Sequence, residues 1–272
     1  MKIGFFYQAG HINDNKLATY TALKQLRKIY PDAPIAFFED NSNNLKGIAK
    51  EFNCHYTKIA FDPAYSDKMM LISDRKTGLS FLERVYHSCT TTLKDCEWIM
   101  IFEDDVWIQC EIKHFPTLDF GGNLGHRYKA PMYEYLKQRF NIKDDSRRIG
   151  SPLGQLEAYG LCGGGVFKRE AYLEAYSKLD EINWDYLETL DHRITMYGDA
   201  ILSFTMLHAG FRYQPWDEFV QYHEGIQYSP KPVIHAVKYF YNYHSIDDLK
   251  DIIQKEEVKN FLSQYNGHKI LN

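Results

Sequence analysis

Three carboxylates in a row follow an apolar run and are the part of this sequence best suited to chemistry. Residues 98–102 are typical of a buried strand, and Glu103, Asp104 and Asp105 come directly after them. Adjacent negative charges repel one another and resist burial, so a positive partner is expected there. Carboxylate oxygens are ligands that Mg²⁺ and Mn²⁺ prefer, with a substrate phosphate completing the shell. A solvated acidic turn after a strand is the alternative interpretation.

A glycine-rich stretch and an aspartate at a helix start could also take part in chemistry. Gly163 and Gly164 follow Cys162, and glycine lets the backbone approach a ligand closely because it has no side chain. The stretch lacks the Lys-Ser/Thr ending of a phosphate-binding loop, and tight strand packing is its alternative explanation. Asp199 follows Gly198 at the start of a helical pattern, where aspartate is also a favoured N-cap.

Alternating strands and helices at the start of the chain must position these residues. Apolar runs predict strands at 2–7, 34–38 and 54–59, and helical spacing predicts helices at 16–29 and 45–52. This order predicts an α/β fold with a mostly parallel central sheet flanked by helices, of the doubly wound kind. Ligands bind at the carboxyl ends of strands in such sheets, which gathers at one edge the acidic run and Tyr7, Gln8 and Asp40.

The rest of the chain predicts one domain with a helical tail. A helix at 78–93 precedes the acidic strand, and another at 169–179 follows the glycine-rich strand. Residues 121–160, rich in glycine, proline and charge, predict a partly helical insertion between two strands. Residues 233–235 predict an edge strand after a proline-containing loop, and a helix begins near residue 245. We therefore divide the chain into a domain at 1–245 and a C-terminal helical tail at 246–272.

Composition excludes several classes of protein. Of the 272 residues, 44% are hydrophobic and 25% charged, which argues against disorder, and a net charge of −4 argues against a general nucleic-acid binder. The five cysteines include no C-x-x-C pair, which indicates neither a disulfide framework nor a zinc site and fits a reducing compartment. No signal-peptide pattern and no apolar stretch near ~20 residues is present, so the sequence predicts a cytoplasmic protein without a transmembrane segment.

The acidic run after a strand, the Gly-Asp helix start and a late His–Lys pair occur in an order that resembles the GT-A-fold, nucleotide-sugar-dependent glycosyltransferases. The resemblance extends from residue 1 to about residue 238 and implies a GT-A-like, Rossmann-related sheet with Mn²⁺ or Mg²⁺ bound against a nucleotide diphosphate. It implies that Asp105 is a metal ligand and that Asp104 contacts ribose or a metal-bound water. His235 would complete the metal coordination, with His223 as its alternative, and Lys238 would neutralise the diphosphate.

The same resemblance implies a pocket for the donor. Tyr7 and Gln8 would contact the base, and Asp40 would accept from uracil or ribose, although a helix cap or turn former is the alternative for Asp40. Arg84 would lie beside the donor, unless it is a solvated helix residue. Gly163 and Gly164 would line the pocket for the donor sugar and the acceptor. The insertion at 121–160 matches no element of the family and leaves the acceptor open.

The function implied is transfer of a sugar, in hexosyltransferase fashion, from a nucleotide-diphospho-sugar such as a UDP-sugar to a hydroxyl of a glycan or other acceptor. Asp199, with Asp191 as the substitute candidate, would be the catalytic base of an inverting reaction, since a carboxylate with a raised pKa suits that work. One alternative is a nucleotidyltransferase that makes nucleotide-sugars, but residues 5–15 lack its Gly-rich, Lys/Arg-containing signature. The other is a nucleotide-sugar-binding module without turnover.

Overall fold

A computed structural model of the chain describes nine ranges of residues. They are 1–9, 16–39, 45–59, 75–104, 106–122, 130–141, 163–189, 201–221 and 231–235. The predicted C-terminal helix and tail therefore lie outside the described residues. No helix within these ranges is long and apolar enough to cross a membrane.

A larger sheet of seven strands forms the centre of the described fold. Its strands are β1 (Ile3–Ala9), β2 (Ile35–Glu39), β3 (His55–Lys58), β4 (Trp98–Phe102), β6 (Phe120–Gly122), β7 (Val166–Lys168) and β8 (Tyr213–Pro215). Their order is β3-β2-β1-β4-β7-β6-β8, and only β7 runs against the others. The mostly parallel α/β sheet that the sequence predicts is thus confirmed, with one antiparallel strand in it.

A second sheet of three strands follows the acidic run. It consists of β5 (Trp107–Ile108), β9 (Phe219–Gln221) and β10 (Val233–His235), in the order β5-β10-β9. The prediction that residues 233–235 form an edge strand is wrong, because β10 pairs on both sides, antiparallel to β5 and parallel to β9.

Helices cover the larger sheet. They are α1 (Lys16–Ile29), α2 (Lys46–Glu51), α3 (Arg75–Thr90), α4 (Ala130–Arg139), α5 (Arg169–Ser177), α6 (Trp184–Thr189) and α7 (Ile201–His208), with a short 3₁₀ turn at Leu179–Glu181. The predicted helix inside the insertion corresponds to α4. Gly121 and Gly122, which the sequence pattern assigned to the insertion, instead belong to β6, where an added Cβ on Gly121 would lie 2.6 Å from the Gln214 carbonyl oxygen.

Alternating side chains of the central strands build a core on each face of the sheet. Phe6 and Ile101 pack with α3, α5 and α7 on one face, whereas Phe5, Tyr7 and Phe102 pack with α1 and α2 on the other. This two-residue period is the normal consequence of strand geometry when both faces are covered. The carboxyl ends of β1, β2 and β4 are thereby held at one edge of the sheet.

Candidate functional site

The acidic run turns tightly at the carboxyl end of β4. The Val106 backbone N–H donates to the Glu103 carbonyl oxygen over 3.1 Å, and β5 begins one residue later. The Asp104 side chain is buried, with 7% of its surface exposed. A carboxylate withdrawn from water needs hydrogen-bond donors or a cation, because its desolvation is otherwise costly. The buried position of Asp104 favours a structured binding site over the alternative of a solvated acidic turn.

The glycine-rich stretch lies directly beside the end of β4. The Gly164 N–H donates to the Ile101 carbonyl oxygen over 2.6 Å, and the Ile101 N–H donates to the Gly165 carbonyl oxygen over 2.9 Å. These two bonds extend the pairing of β4 with β7 to within two residues of Glu103. The two motifs that the sequence analysis singled out separately are thus neighbours across the sheet.

Gly164 approaches another side chain closely. Its φ of +86° is strained for a residue with a side chain, and an added Cβ would lie 2.4 Å from Phe219 Cε2 and 3.2 Å from Val233 Cγ1. Both contacts belong to the second sheet, so the bare side of Gly164 is occupied by protein. This arrangement favours the packing explanation for Gly164 over the predicted approach of a ligand, while Gly163 stays a candidate.

The register of the second sheet brings the backbone of His235 close to the acidic turn. Val233 pairs with Ile108 and Ile234 with Trp107, and continuing this antiparallel register by one pair sets His235 opposite Val106. Val106 follows Asp105 in the sequence. The structure describes the backbone of His235 and not its side chain, so its predicted role as a ligand stays a prediction.

Arg84 brings a cation to the carboxyl end of β1. Its Nη2 donates to Gln8 Oε1 over 3.2 Å and its Nη1 donates to Ser80 Oγ over 2.8 Å. The guanidinium carbon also lies 5.9 Å from the centroid of the Phe81 ring. Both Gln8 and Arg84 are half-buried at the sheet edge. The structure therefore brings together two of the predicted donor-binding residues and argues against a freely solvated Arg84.

Tyr7 does not share this position. Its ring is fully buried, stacks on Phe37 with a centroid distance of 4.7 Å, and its hydroxyl donates to Thr19 Oγ1 over 3.1 Å. The strand alternation that turns Tyr7 into the core turns it away from the surface where a base could stack. The prediction that the Tyr7 side chain contacts the nucleotide is not supported by this placement.

Glu39 lies beside the candidate site and was not predicted from the sequence, which pointed to Asp40 instead. Its carboxylate is 1% exposed and accepts hydrogen bonds from the Leu45 N–H and the Tyr56 hydroxyl, both over 2.7 Å. Lys58 Nζ lies 3.5 Å from its other oxygen. The two-residue period of β2 was the available signal, because it puts Glu39 on the same buried face as Ile35 and Phe37.

The remaining predicted residues lie outside the described ranges and stay predictions. They are Asp40, Asp105, Asp191, Asp199, His223 and Lys238. Among the residues that are described, no three His, Cys, Asp or Glu side chains cluster closely enough to hold a metal ion.

Comparison with known proteins gives matches only among solved structures. No protein-family model matches the chain, and no curated protein sequence matches it. The backbone is similar to that of the galactosyltransferase LgtC in complex with donor and acceptor sugar analogs, at 12% identity and a TM-score of 0.48, covering 94% of this chain and 99% of that one. It is also similar to an active-site mutant of LgtC, at 10% identity and a TM-score of 0.47, with the same coverage.

A third similar structure is the apo form of mouse xyloside xylosyltransferase 1. Its identity is 14% and its TM-score 0.45, and the match covers 87% of this chain and 98% of that one. The fold class itself follows from this chain's own sheet, in which β7 runs antiparallel between β4 and β6.

Proposed function

We propose that this protein is a glycosyltransferase that moves a sugar from a nucleotide-diphospho-sugar, with UDP-sugars as the first candidates, to a hydroxyl of a glycan or other acceptor. The observation that carries the proposal is the convergence at the end of β4. The acidic turn, the Gly163–Gly165 stretch and the end of β10 come from distant parts of the chain and meet there. Arg84 and Gln8 lie at the neighbouring strand end, where α/β sheets of this kind bind ligands.

A divalent cation fits the chemistry of this edge. Asp105 and His235 would hold Mn²⁺ or Mg²⁺, because carboxylate oxygens with an imidazole suit these ions. The carboxylate of Asp104, one residue from Asp105, is buried at the same turn and adds negative charge that would attract a cation there. When bound, the metal would supply electrostatic stabilisation to the departing diphosphate.

The donor would lie across the ends of β1, β2 and β4. Gln8 and Asp40 would contact the nucleoside, and Asp104 the ribose. Arg84 and Lys238 would offset the negative charge of the diphosphate, and Gly163 would leave room for the sugar. Positive groups placed in advance around a leaving diphosphate lower the barrier without reorganising during the reaction.

The transfer would proceed with inversion at the anomeric carbon. Asp199, or Asp191 in its place, accepts the proton of the acceptor hydroxyl while the hydroxyl oxygen attacks the anomeric carbon. The bond between that carbon and the diphosphate oxygen breaks, and the nucleoside diphosphate leaves with the electron pair. A base must lie within hydrogen-bond reach of the proton that it removes, so this assignment requires residue 199 to face the sugar pocket.

The free thiols fit a cytoplasmic location, which we include in the proposal. Cys54, Cys89, Cys96 and Cys110 are unpaired thiols in the structure. Thiols persist in the reducing cytoplasm, where disulfides are rare.

Nucleotide binding by thermal shift tests the proposal. The protein is melted with UDP-, GDP-, ADP- and CMP-linked sugars, each with Mn²⁺ and with a chelator. Binding at about 100 times Kd stabilises the fold by about 2.7 kcal/mol, which raises the Tm of a domain this size by about 5–10 °C. We expect one nucleotide class to do so only with metal.

Two neighbouring carboxylates provide a matched pair of variants for this assay. Asp105→Asn should abolish the metal-dependent rise, whereas Glu103→Gln, which changes the same charge in the same turn, should retain it. The absence of a shift with every donor in the wild type would count against the proposal.

A further inference from the structure

The Glu39 carboxylate connects three separate segments at the edge of the larger sheet. It belongs to the last residue of β2, and it accepts the Leu45 N–H, just before α2, and the Tyr56 hydroxyl of β3, both over 2.7 Å. The Ile59 N–H also donates to the Glu39 carbonyl oxygen over 2.9 Å. One residue thus ties the end of β2 to the start of α2 and to the end of β3.

The network is built to keep a charge buried. Glu39 is 1% exposed, and Lys58 Nζ, on the exposed side of β3, lies 3.5 Å from its second oxygen. Burial, followed by the hydrogen bond to Glu39, raises the pKa of Tyr56 to about 12, so the phenol keeps its proton to donate at ordinary pH. Buried charged groups with satisfied partners hold the surrounding backbone in one arrangement.

This network lies beside the candidate donor-binding residues. In the register of β1 and β2, Glu39 pairs with Ala9, and its neighbour Phe38 pairs with Gln8. Glu39 also precedes Asp40 in the sequence, so its backbone fixes where the connection from β2 to α2 departs. The Leu45 N–H fixes where the same connection arrives.

We propose that Glu39 is a positioning residue for nucleotide binding, whose carboxylate holds both ends of the β2–α2 connection at the donor edge of the sheet. The inference rests on the proposed function. The Glu39 side chain itself would not touch the nucleotide. It acts by fixing the backbone immediately before Asp40 and by holding the Leu45 amide. It should therefore control donor affinity and leave the chemical step unchanged.

Two test variants and one matched control separate positioning from stability. Tyr56→Phe removes one hydrogen bond to Glu39 and keeps the aromatic ring, and Glu39→Gln weakens both acceptor bonds while keeping the shape. The matched control is Tyr30→Phe, because the Tyr30 hydroxyl also makes one 2.7 Å bond, accepting from the Ile112 N–H, at the opposite end of the sheet.

The experiment measures nucleoside-diphosphate affinity with Mn²⁺ by calorimetry, together with kcat and donor KM, for each variant that melts cooperatively. Tyr56→Phe and Glu39→Gln should raise Kd and donor KM by about 10-fold, because loss of the hydrogen bonds that hold binding residues in place commonly weakens binding by this much. Their kcat at saturating donor should stay within roughly 2-fold of the wild type. The control variant Tyr30→Phe should keep the wild-type Kd.

Each outcome decides a different point. Wild-type binding that is weakened only by Tyr56→Phe and Glu39→Gln supports the positioning role. Equal affinity in Tyr56→Phe and the wild type, or an equal loss in Tyr30→Phe, overturns that role while the proposed function stands. No nucleotide binding by the wild type overturns both. Tyr56→Phe keeps the test decisive if Glu39→Gln does not fold.

Discussion

Gly164→Ala is the substitution whose cost the structure defines best. The backbone of Gly164 has φ +86°, and the new Cβ would lie 2.4 Å from Phe219 Cε2. Two separate penalties therefore act at one position. The backbone must adopt a conformation that L-residues avoid, and the Phe219 ring must move away from a well-packed junction between the two sheets.

The magnitudes can be estimated separately. A side chain in the left-handed region costs about 1–2 kcal/mol, and overpacking a core by one methyl costs about 1–3 kcal/mol. We therefore expect Gly164→Ala to lower the free energy of unfolding by about 2–5 kcal/mol, which corresponds to a fall in Tm of about 5–15 °C. Urea denaturation followed by circular dichroism measures the difference directly.

Two other glycines separate the penalties. Gly210 has φ +94° but no atom within 4 Å of an added Cβ, so Gly210→Ala should carry the backbone cost of about 1–2 kcal/mol alone. Gly47, inside α2, also has open space and an ordinary φ. Gly47→Ala should stabilise the protein by about 0.5–1 kcal/mol, since alanine is the better helix former.

A double-mutant cycle tests the contact itself. In a Phe219→Val background the ring is gone, so adding Gly164→Ala should cost no more than Gly210→Ala does. A Gly164→Ala variant as stable as Gly210→Ala, or one whose cost is independent of residue 219, would refute the junction between the sheets as described.

Three further predictions concern pH, a half-buried arginine and catalysis. His208 is 1% exposed, and burial, followed by the charge of Arg139, lowers its pKa from 6.5 to about 4. Its contribution to the stability of the fold is therefore complete above pH 6.5 and is lost as the pH falls toward 4. The free energy of unfolding from urea melts should fall by up to about 3 kcal/mol over that window in the wild type and not in His208→Gln. Arg27 donates to five backbone carbonyls, those of Tyr30, Pro31, Ala33, Phe52 and Asn53. Arg27→Ala should lower the free energy of unfolding by about 2–4 kcal/mol in the same assay. Lys24→Ala, which changes an exposed residue of the same helix, should lower it by no more than about 0.5 kcal/mol. Asp199→Asn should lower turnover by ~10²-fold or more with unchanged donor affinity and Tm, because asparagine caps a helix as well as aspartate but cannot act as a base. Wild-type turnover in this variant would show that Asp199 is only a helix cap.

Elements set by local patterns could be predicted from the sequence. Helix α1 has the bounds predicted for it, because its apolar spacing is regular and Pro31 follows it closely. The apolar run 98–102 forms β4 as predicted, since a fully buried central strand reads as a continuous apolar segment. Such signals require only neighbours along the chain.

Features that depend on distant partners could not be predicted in this way. Residues 233–235 have a clear strand pattern, but their central place in the second sheet depends on β5, more than a hundred residues earlier. The same limit applies to side chains. The two-residue period of β2 indicates that Glu39 is buried, whereas its partners, the Tyr56 hydroxyl and the Leu45 amide, come from segments that no local pattern connects to it.

Donor turnover is the measurement that tests the proposed sugar transfer. Purified protein is incubated with Mn²⁺, each UDP-sugar and a mixture of saccharide acceptors, and released UDP is quantified while products are analysed by mass spectrometry. We expect UDP release with one donor, matched by an acceptor heavier by one sugar, and loss of both in Asp105→Asn. If the wild type and Asp105→Asn release UDP from every donor at the same background rate, and the other nucleotide-sugars give the same result, the claim of sugar transfer is contradicted.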